Sequence, residues 1–541
     1  MPPKRLAYIL WIAFIALFAA AHAWHLRADF PNFSPWEDWS KYTDEGWYGN
    51  AAIRAHLFGN WYLPYDFNPA PAVPVWPFLE WLVFSVTGVT IQAARGLAVV
   101  FFFLNLFLSY KLFRERGPQW VGLLAVTLLV TSPFLYAFSR LAILEPLLVA
   151  LTLGAMNLAI RLPKFRRKEA VSALIGLIFT AMFFTKTTAV FLLPALVWMI
   201  VLPSWRHKTK LIRMLVAAGG TALTSFCLWM LLVLNYGLFA DFKYLFFVNN
   251  YVKPHGLWPR ILSFWWSFHG GLWADLVLIP LAGLLVLAVV VSHFSQQRKW
   301  KNWSNLAILQ SWTSWTNGLW QDPLFSGSVL VVAGYIAFMT YQNHPQPRYY
   351  VVVAFFSFFI VVRVTAQLLY QASQQRIRQA GMIILAVVCI TAASNAAWTL
   401  KYILHPEYTW VTAAQNLTHY IDEHPNGNRL LASISGDEIT LITHLPTLCD
   451  DFGTIELADK LNHYQPGWYA AWNDMDPGTL EDLHVHFSLE QVAEFPAFDD
   501  PDRNVLYLFK LHPLPGGTTT LPIDKGLGKV LPGDKIDIPV E

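Results

Sequence analysis

The residues of this sequence that can do chemistry are few and far apart: the acidic pair Asp44-Glu45, then Arg140 and Glu145, Lys186, Arg260 and Arg348. Most stand at the edges of long apolar runs, where an ionisable side chain is costly and points to function. A carboxylate in such a place can take a proton from a reacting group. A lysine or arginine there can neutralise an anion such as a phosphate. Each also has a plainer reading. Asp44 and Glu45 can cap a helix lying at an interface. Glu145 follows Arg140 closely enough for a local ion pair. Lys186 can snorkel to the membrane surface, and Arg348 precedes two tyrosines, as in an aromatic belt. Arg363, inside an apolar run, reads as snorkelling rather than functional. Paired carboxylates can hold a divalent metal, but Asp44 and Glu45 alone are too few ligands for a site.

The elements that must position these groups are membrane helices. The chain has 541 residues, 55% hydrophobic and 13% charged, against roughly 25% charged in soluble proteins. Apolar runs over residues 6–24, 91–110, 119–138, 143–160, 170–185, 188–203, 212–235, 271–293, 327–342, 349–370 and 380–400 predict about eleven transmembrane helices. The first run ends in Ala21-His22-Ala23, which resembles a signal-peptidase site, but its length favours a retained anchor. Lys and Arg crowd into alternate loops: Lys4/Arg5, Lys111–Arg116, Arg161–Lys168, Arg206–Arg213, Arg298–Lys301 and Arg376–Arg378. The positive-inside rule makes these cytoplasmic. Val75 to Gly88 would spoil the alternation as a span. It is short, starts among prolines and contains Glu80, so it reads as a juxtamembrane helix at the outer interface. Asp44-Glu45, Glu145, Lys186 and Arg348 then all face outward. Their common side is a stronger argument than any one of them.

The charge balance changes along the chain. Before residue 402 there are 31 Lys and Arg against 13 Asp and Glu, a balance of +18; after it there are 7 against 22, a balance of −15. The apolar runs stop near Lys401 as well. Residues 1–401 therefore read as a transmembrane domain and 402–541 as a small soluble α/β domain outside the membrane. Its signals are an amphipathic helix at Trp410–Tyr420 and short strands at Arg429–Ser433 and Val505–Leu511. Trp468, Tyr469 and Trp472 read as core in preference to a sugar platform. Pro513 to Glu541 reads as loosely ordered. The cysteines Cys227, Cys389 and Cys449 suggest neither a disulfide framework nor a metal cluster. No Walker loop, dinucleotide glycine fingerprint, HExxH or GxSxG is present. The basic clusters are topology signals, so no nucleic-acid partner is expected. Asn416-Leu417-Thr418 matches a glycosylation sequon, a frequent chance match.

In their order along the chain, TDEGWYGNAA, NPAPAVPVWPFLEWLVFSVTG, QAARGLAVV, SRLAILEPLLV, FFTKTTAV and QPRYYVVV resemble the GT-C superfamily of integral-membrane glycosyltransferases. The nearest branches are the protein O-mannosyltransferases and the lipid A aminoarabinose transferases. The resemblance covers most of residues 1–400. It implies a mainly α, polytopic GT-C-like bundle. It also implies transfer of a sugar from a polyprenyl-phosphate donor to an envelope acceptor (protein, lipid or glycan) outside the cytoplasmic membrane. Asp44 matches the family's catalytic acidic residue, with Glu45 beside it, and Glu145 matches its second acidic position. The outward cations Lys186, Arg348 and Arg260 are candidates to hold the donor phosphate. Relatives often carry a lysine beside the prolines of the interfacial segment, where this chain has Val75, so the phosphate must find other cations. The resemblance implies no certain cofactor: the polyprenyl-phosphate sugar is the donor substrate, and a divalent metal stays open. The rival expectation is a transporter or lipid-linked sugar flippase, whose repeated halves with matching broken helices are not seen in the sequence. One outward cavity shared by Asp44, Glu145, Lys186 and Arg348 would favour transfer over transport.

Overall fold

The computed structural model describes residues 3–29, 44–205, 207–248, 256–297, 316, 318–370, 375–450, 453, 455–473, 475–498 and 503–515. Residues 30–43 of the first polar loop (His25 to Pro74), Arg206, the cluster Arg298–Lys301 and the tail beyond residue 515 lie outside the described residues.

Every apolar run has a helical counterpart. The helices are α1 Pro3–His22, α2 Glu45–Phe58, α3 Val75–Thr87, α4 Ile91–Arg114, α5 Gln119–Thr131, α6 Pro133–Phe138, α7 Glu145–Arg161, α8 Lys168–Thr185, α9 Leu193–Val201 and α10 Lys208–Asn235. They continue as α11 Phe239–Lys243, α12 Leu257–His269, α13 Leu278–Gln297, α14 Pro323–Gln342, α15 Tyr350–Tyr370 and α16 Gln375–Leu404. Among the described residues, eight helices are long and apolar enough to cross a membrane. The chain is a multi-pass membrane protein.

Three expected spans are cut short, each for a local reason. The run 119–138 breaks into α5 and α6 at Ser132-Pro133. Pro133 has no N–H to continue a helix, and Ser132 Oγ accepts from Leu135 N at 3.2 Å to cap the next one. The run 188–203 opens with a 3-10 turn, Thr187–Leu192, before α9. The run 271–293 begins as α13 only at Leu278, because Asp275 Oδ1 accepts from Val277 N and Leu278 N at 2.8 and 2.7 Å. Val75–Gly88 forms the short helix expected of it, α3.

The bundle is cored by α15, buried along almost its whole length from Tyr350 to Leu368, with α4, α5, α7 and α14 around it. At the end away from the site, Arg363 donates to Asp322, so it is paired rather than snorkelling.

The C-terminal region adds α17 Thr409–Glu423, α18 Gly436–Thr443, α19 Leu457–Tyr464 and α20 Pro477–His486 around a five-stranded sheet. The strands are β1 Leu431–Ala432, β2 Thr447–Leu448, β3 Trp468–Trp472, β4 Phe487–Pro496 and β5 Val505–Pro513, in the order β2-β1-β3-β5-β4. β1 runs parallel to β2 and β3; β5 runs antiparallel to β3 and β4. Side chains alternate between faces along a strand. Trp468, Ala470 and Trp472 therefore enter one core with Trp410 and Leu417 of α17, and Tyr469 and Ala471 enter the other with Leu461 and Phe487. All three aromatics of β3 are buried, at 0%, 3% and 7% exposure, which settles them as core.

This region docks on the loop end of the bundle. Asp29 caps α17, its Oδ2 accepting from Thr409 N at 2.7 Å. His444 Nε2 meets the Val89 carbonyl at 2.9 Å, and the Tyr464 hydroxyl donates to the Pro64 carbonyl. The acidic tail and the first polar loop therefore share one side.

Candidate functional site

The site is built on α2, whose sequence reads as three faces. At about 3.6 residues per turn, positions three or four apart share a face. Asp44 at the N-cap, Trp47 and Tyr48 share one, and all three line a cavity of about 160 Å³. Glu45 and Gly49 share the second. Glu45 takes a two-pronged bond from Arg95 of α4, Nε to Oε1 at 2.8 Å and Nη2 to Oε2 at 2.6 Å, and a third from Ala142 N at 2.7 Å. A methyl placed on Gly49 would lie 2.0 Å from the Glu80 carboxyl of α3. Gly46, Asn50 and Arg54 form the third face, against the C-terminal region.

Two other junctions complete the cavity. Lys186 stands between α8 and the 3-10 turn that follows, in extended backbone at φ −154° and ψ 127°, which turns its side chain inward. Arg348 belongs to the 3-10 turn Pro347–Tyr349 that opens α15. The Asp44 carboxylate meets Arg348 Nη2 at 2.8 Å. Lys186 donates to Glu145, the first residue of α7. Glu145 is fully buried, and its Oε2 has no hydrogen-bond partner among the described residues. Arg348 Nε is buried and without a partner in the same sense. The Tyr349 ring lies against both cations, its centroid 4.5 Å from Lys186 Nζ and 5.5 Å from the Arg348 guanidinium. Phe338 holds that ring edge-on at 5.2 Å.

Four of the six residues given a catalytic or phosphate-binding role from sequence thus meet: Asp44, Lys186 and Arg348 line the cavity, and Glu145 reaches it through Lys186. Two do not. Glu45 is turned away and spent on Arg95 and Ala142. Arg260 sits on α12 and is not among the lining residues. The plain readings fare differently as well. Arg140 does not pair with Glu145. It donates to the Tyr136 hydroxyl and the His25 carbonyl and packs over the Tyr136 ring. Lys186 is 6% exposed, too enclosed to snorkel.

Burial sets the electrostatics. It pulls the Lys186 ammonium below the ordinary lysine value, with Glu145 opposing that shift and Arg348 adding to it. Burial and then Arg348 lower His344, another lining residue, to about 4, so its imidazole is neutral near pH 7. Among the described residues no group of three or more His, Cys, Asp and Glu side chains is arranged to hold a metal ion.

Residues 69–231, which carry Glu145 and Lys186, match the family model described as dolichyl-phosphate-mannose-protein mannosyltransferase. The chain also superposes on the oligosaccharyltransferase AglB from Archaeoglobus fulgidus, solved with an inhibitory peptide and a dolichol-phosphate. The TM-score is 0.50 at 11% identity, over 96% of this chain and 75% of that one. The fold is GT-C-like. Two further structures are similar at lower scores. ArnT from Cupriavidus metallidurans, bound to undecaprenyl phosphate, has TM-score 0.45 at 12% identity over 93% of this chain and 97% of that one. The arabinofuranosyltransferase AftD from Mycobacteria has TM-score 0.43 at 12% identity over 92% and 40%. No curated protein matches the sequence.

Within this GT-C fold, sequence reasoning missed Arg95, Tyr48, His344 and Tyr349. Arg95 had a signal: it is an arginine inside the apolar run of α4, and such a charge needs a partner. Tyr349 had none, since two adjacent tyrosines at a helix start suit a membrane interface equally well.

Proposed function

We propose that this chain transfers a sugar from a polyprenyl-phosphate donor to a hydroxyl or amine of an envelope acceptor, on the outer face of the cytoplasmic membrane. The observation that carries the reading is one shared cavity lined by a carboxylate, Asp44, beside two cations, Arg348 and Lys186. The acceptor oxygen or nitrogen bonds to the anomeric carbon, and the bond from that carbon to the phosphate oxygen breaks. Asp44 takes the acceptor proton as general base. The electron pair leaves on the phosphate, where Lys186 and Arg348 meet the growing charge.

Arg348 already binds Asp44, so a phosphate that engages Arg348 exchanges with that carboxylate and releases it to act on the acceptor. Arg348 Nε, without a partner among the described residues, gives the guanidinium a further donor for the phosphate. Glu145 keeps Lys186 charged in a buried place. The same cavity supports transfer over passage through the bundle, because the acidic and basic groups converge at one end.

The test is consumption of lipid-linked sugars by the purified protein in detergent, across a panel of polyprenyl-phosphate donors and envelope acceptors. Loss of donor only when acceptor is present supports the reading; inertness toward every donor, with lipid-linked sugar crossing vesicles instead, sinks it. For orientation, a single cysteine near Arg166 should resist an impermeant thiol reagent in intact cells, while one in the C-terminal region should react. The reverse pattern inverts the scheme.

A further inference from the structure

The C-terminal region has no part in the chemistry just described, yet it touches the catalytic helix more closely than packing alone requires. Three residues on one face of α2, spaced four apart, all meet α18 at one residue, Asp437. A methyl on Gly46 would lie 2.2 Å from the Asp437 carbonyl carbon and oxygen, so the two backbones touch. Asn50 Nδ2 donates to Asp437 Oδ1 at 2.6 Å. Arg54 Nη2 reaches the same oxygen at 3.5 Å and also binds Asp66 at 2.9 Å and the Thr447 carbonyl at 3.2 Å. Lys460 of α19 closes the cluster through Asp66 at 3.4 Å and the Cys449 carbonyl at 3.0 Å. Asp437, Arg54, Asp66 and Lys460 are all under 8% exposed. Buried charged hydrogen bonds hold tight geometry, because breaking one leaves an unpaired charge away from water.

α2 therefore cannot slide or turn without breaking the contacts to Asp437. Its N-terminus carries Asp44, two residues before Gly46. We propose that Asp437 is a positioning residue for the Asp44 carboxylate, acting through the Gly46-Asn50-Arg54 face of α2, and that the C-terminal region is a brace for the transfer site. The proposal rests on the glycosyl-transfer reading of that site. It gives a role to the glycine after Asp44-Glu45: only a residue without Cβ lets α18 approach.

Asp44 does the proton transfer, whereas Lys186 and Arg348, on other elements, hold the donor. A displaced α2 should thus lower turnover and spare donor binding. Asn50→Asp sets two carboxylates face to face across the 2.6 Å contact. Adding Asp437→Asn exchanges acid and amide and restores one donor and one acceptor. The measurements are kcat, affinity for undecaprenyl phosphate, and melting temperature, all at equal membrane insertion. Asn50→Asp and Gly46→Ala should each lower kcat by about tenfold to a hundredfold, the scale of an ångström misplacement, with undecaprenyl phosphate affinity kept within about threefold. The Asn50→Asp/Asp437→Asn pair should regain most of the lost kcat. Normal kcat in both single variants overturns the proposal. So does a joint fall of kcat, affinity and melting temperature that the paired exchange does not relieve. Asp44→Asn is run alongside. If it too turns over normally, the base lies elsewhere and the reading of the site on which the brace rests falls; if it is inactive while the Asn50 and Gly46 variants are flat, only the brace falls.

Discussion

Asp44 caps the helix that follows the first polar loop, Arg348 opens one of the last membrane helices, and their side chains meet at 2.8 Å. The pair is only partly enclosed, with 22% and 16% of the side chains exposed. An acceptor or a phosphate arriving in the cavity therefore reaches both. The carboxylate that would take a proton and the guanidinium that would hold a phosphate hold each other.

Asp44→Asn removes the proton acceptor and keeps the shape. Turnover should fall about 10²- to 10⁴-fold, the usual contribution of a general base. Undecaprenyl phosphate affinity should hold or rise, because Arg348 loses its competing anion. Weaker phosphate binding together with near-normal turnover would move the base elsewhere and make Asp44 a phosphate-site residue.

Lys186→Met and Arg348→Met should each weaken donor binding, and the double change should cost less than the sum if both hold one phosphate. Glu145→Gln adds a pH signature. Burial already lowers the Lys186 pKa and Glu145 opposes it, so the variant lowers it further. Lysine loses its charge as pH rises, so donor affinity in Glu145→Gln should decline at lower pH than in the wild type. Coincident profiles of undecaprenyl phosphate binding against pH would remove Glu145 from that role.

Tyr349 should matter through its ring. A cation against an aromatic face gains roughly 0.5–2 kcal/mol, more as the site is desolvated. Tyr349→Phe should keep donor affinity and Tyr349→Leu should lose about tenfold. Progressively fluorinated phenylalanines at position 349 should give a graded loss at nearly constant size. A flat fluorination series would reduce the ring to packing.

The buried cluster under α2 should govern stability. Arg54→Met leaves Asp66 and Asp437 without their shared cation, a change of about 3–5 kcal/mol, read as a lower melting temperature in detergent. Burial raises Asp437 to about 6 against the attraction of Arg54, with Asp66 adding to the rise. The folded state thus binds this proton more tightly than the unfolded chain does. Its contribution, about 3 kcal/mol by linkage, is full below about pH 4 and is lost as pH rises through about 6. Asp437→Asn should remove that fall in melting temperature between about pH 4 and pH 6; an unchanged pH profile would dissociate Asp437 from it.

The site was partly legible in advance. Asp44, Glu145, Lys186 and Arg348 stood out because a charge at the edge of an apolar run has few reasons to be there. Glu45 and Arg260 shared that signal and went elsewhere, since a sequence position fixes depth along a helix but not the direction a side chain takes. Arg140, close to Glu145 along the chain, chose Tyr136 and a carbonyl, while Lys186 from another helix took the carboxylate.

The helices were determined by the sequence alone, because an apolar run of about twenty residues in lipid must satisfy its own backbone hydrogen bonds. So was the common side of the polar residues, which follows from alternating basic loops and is met in the contacts between α2, α18 and the cavity. Tertiary structure decided which charge pairs with which, why glycine follows Asp44-Glu45, and where the described C-terminal region packs. The physical reason is that each of these is a contact between residues far apart in the chain. The Asp44–Arg348 pair and the Gly46–Asp437 contact leave no local trace in pattern or propensity, and only the packing of α2 between the bundle and the sheet brings them into being.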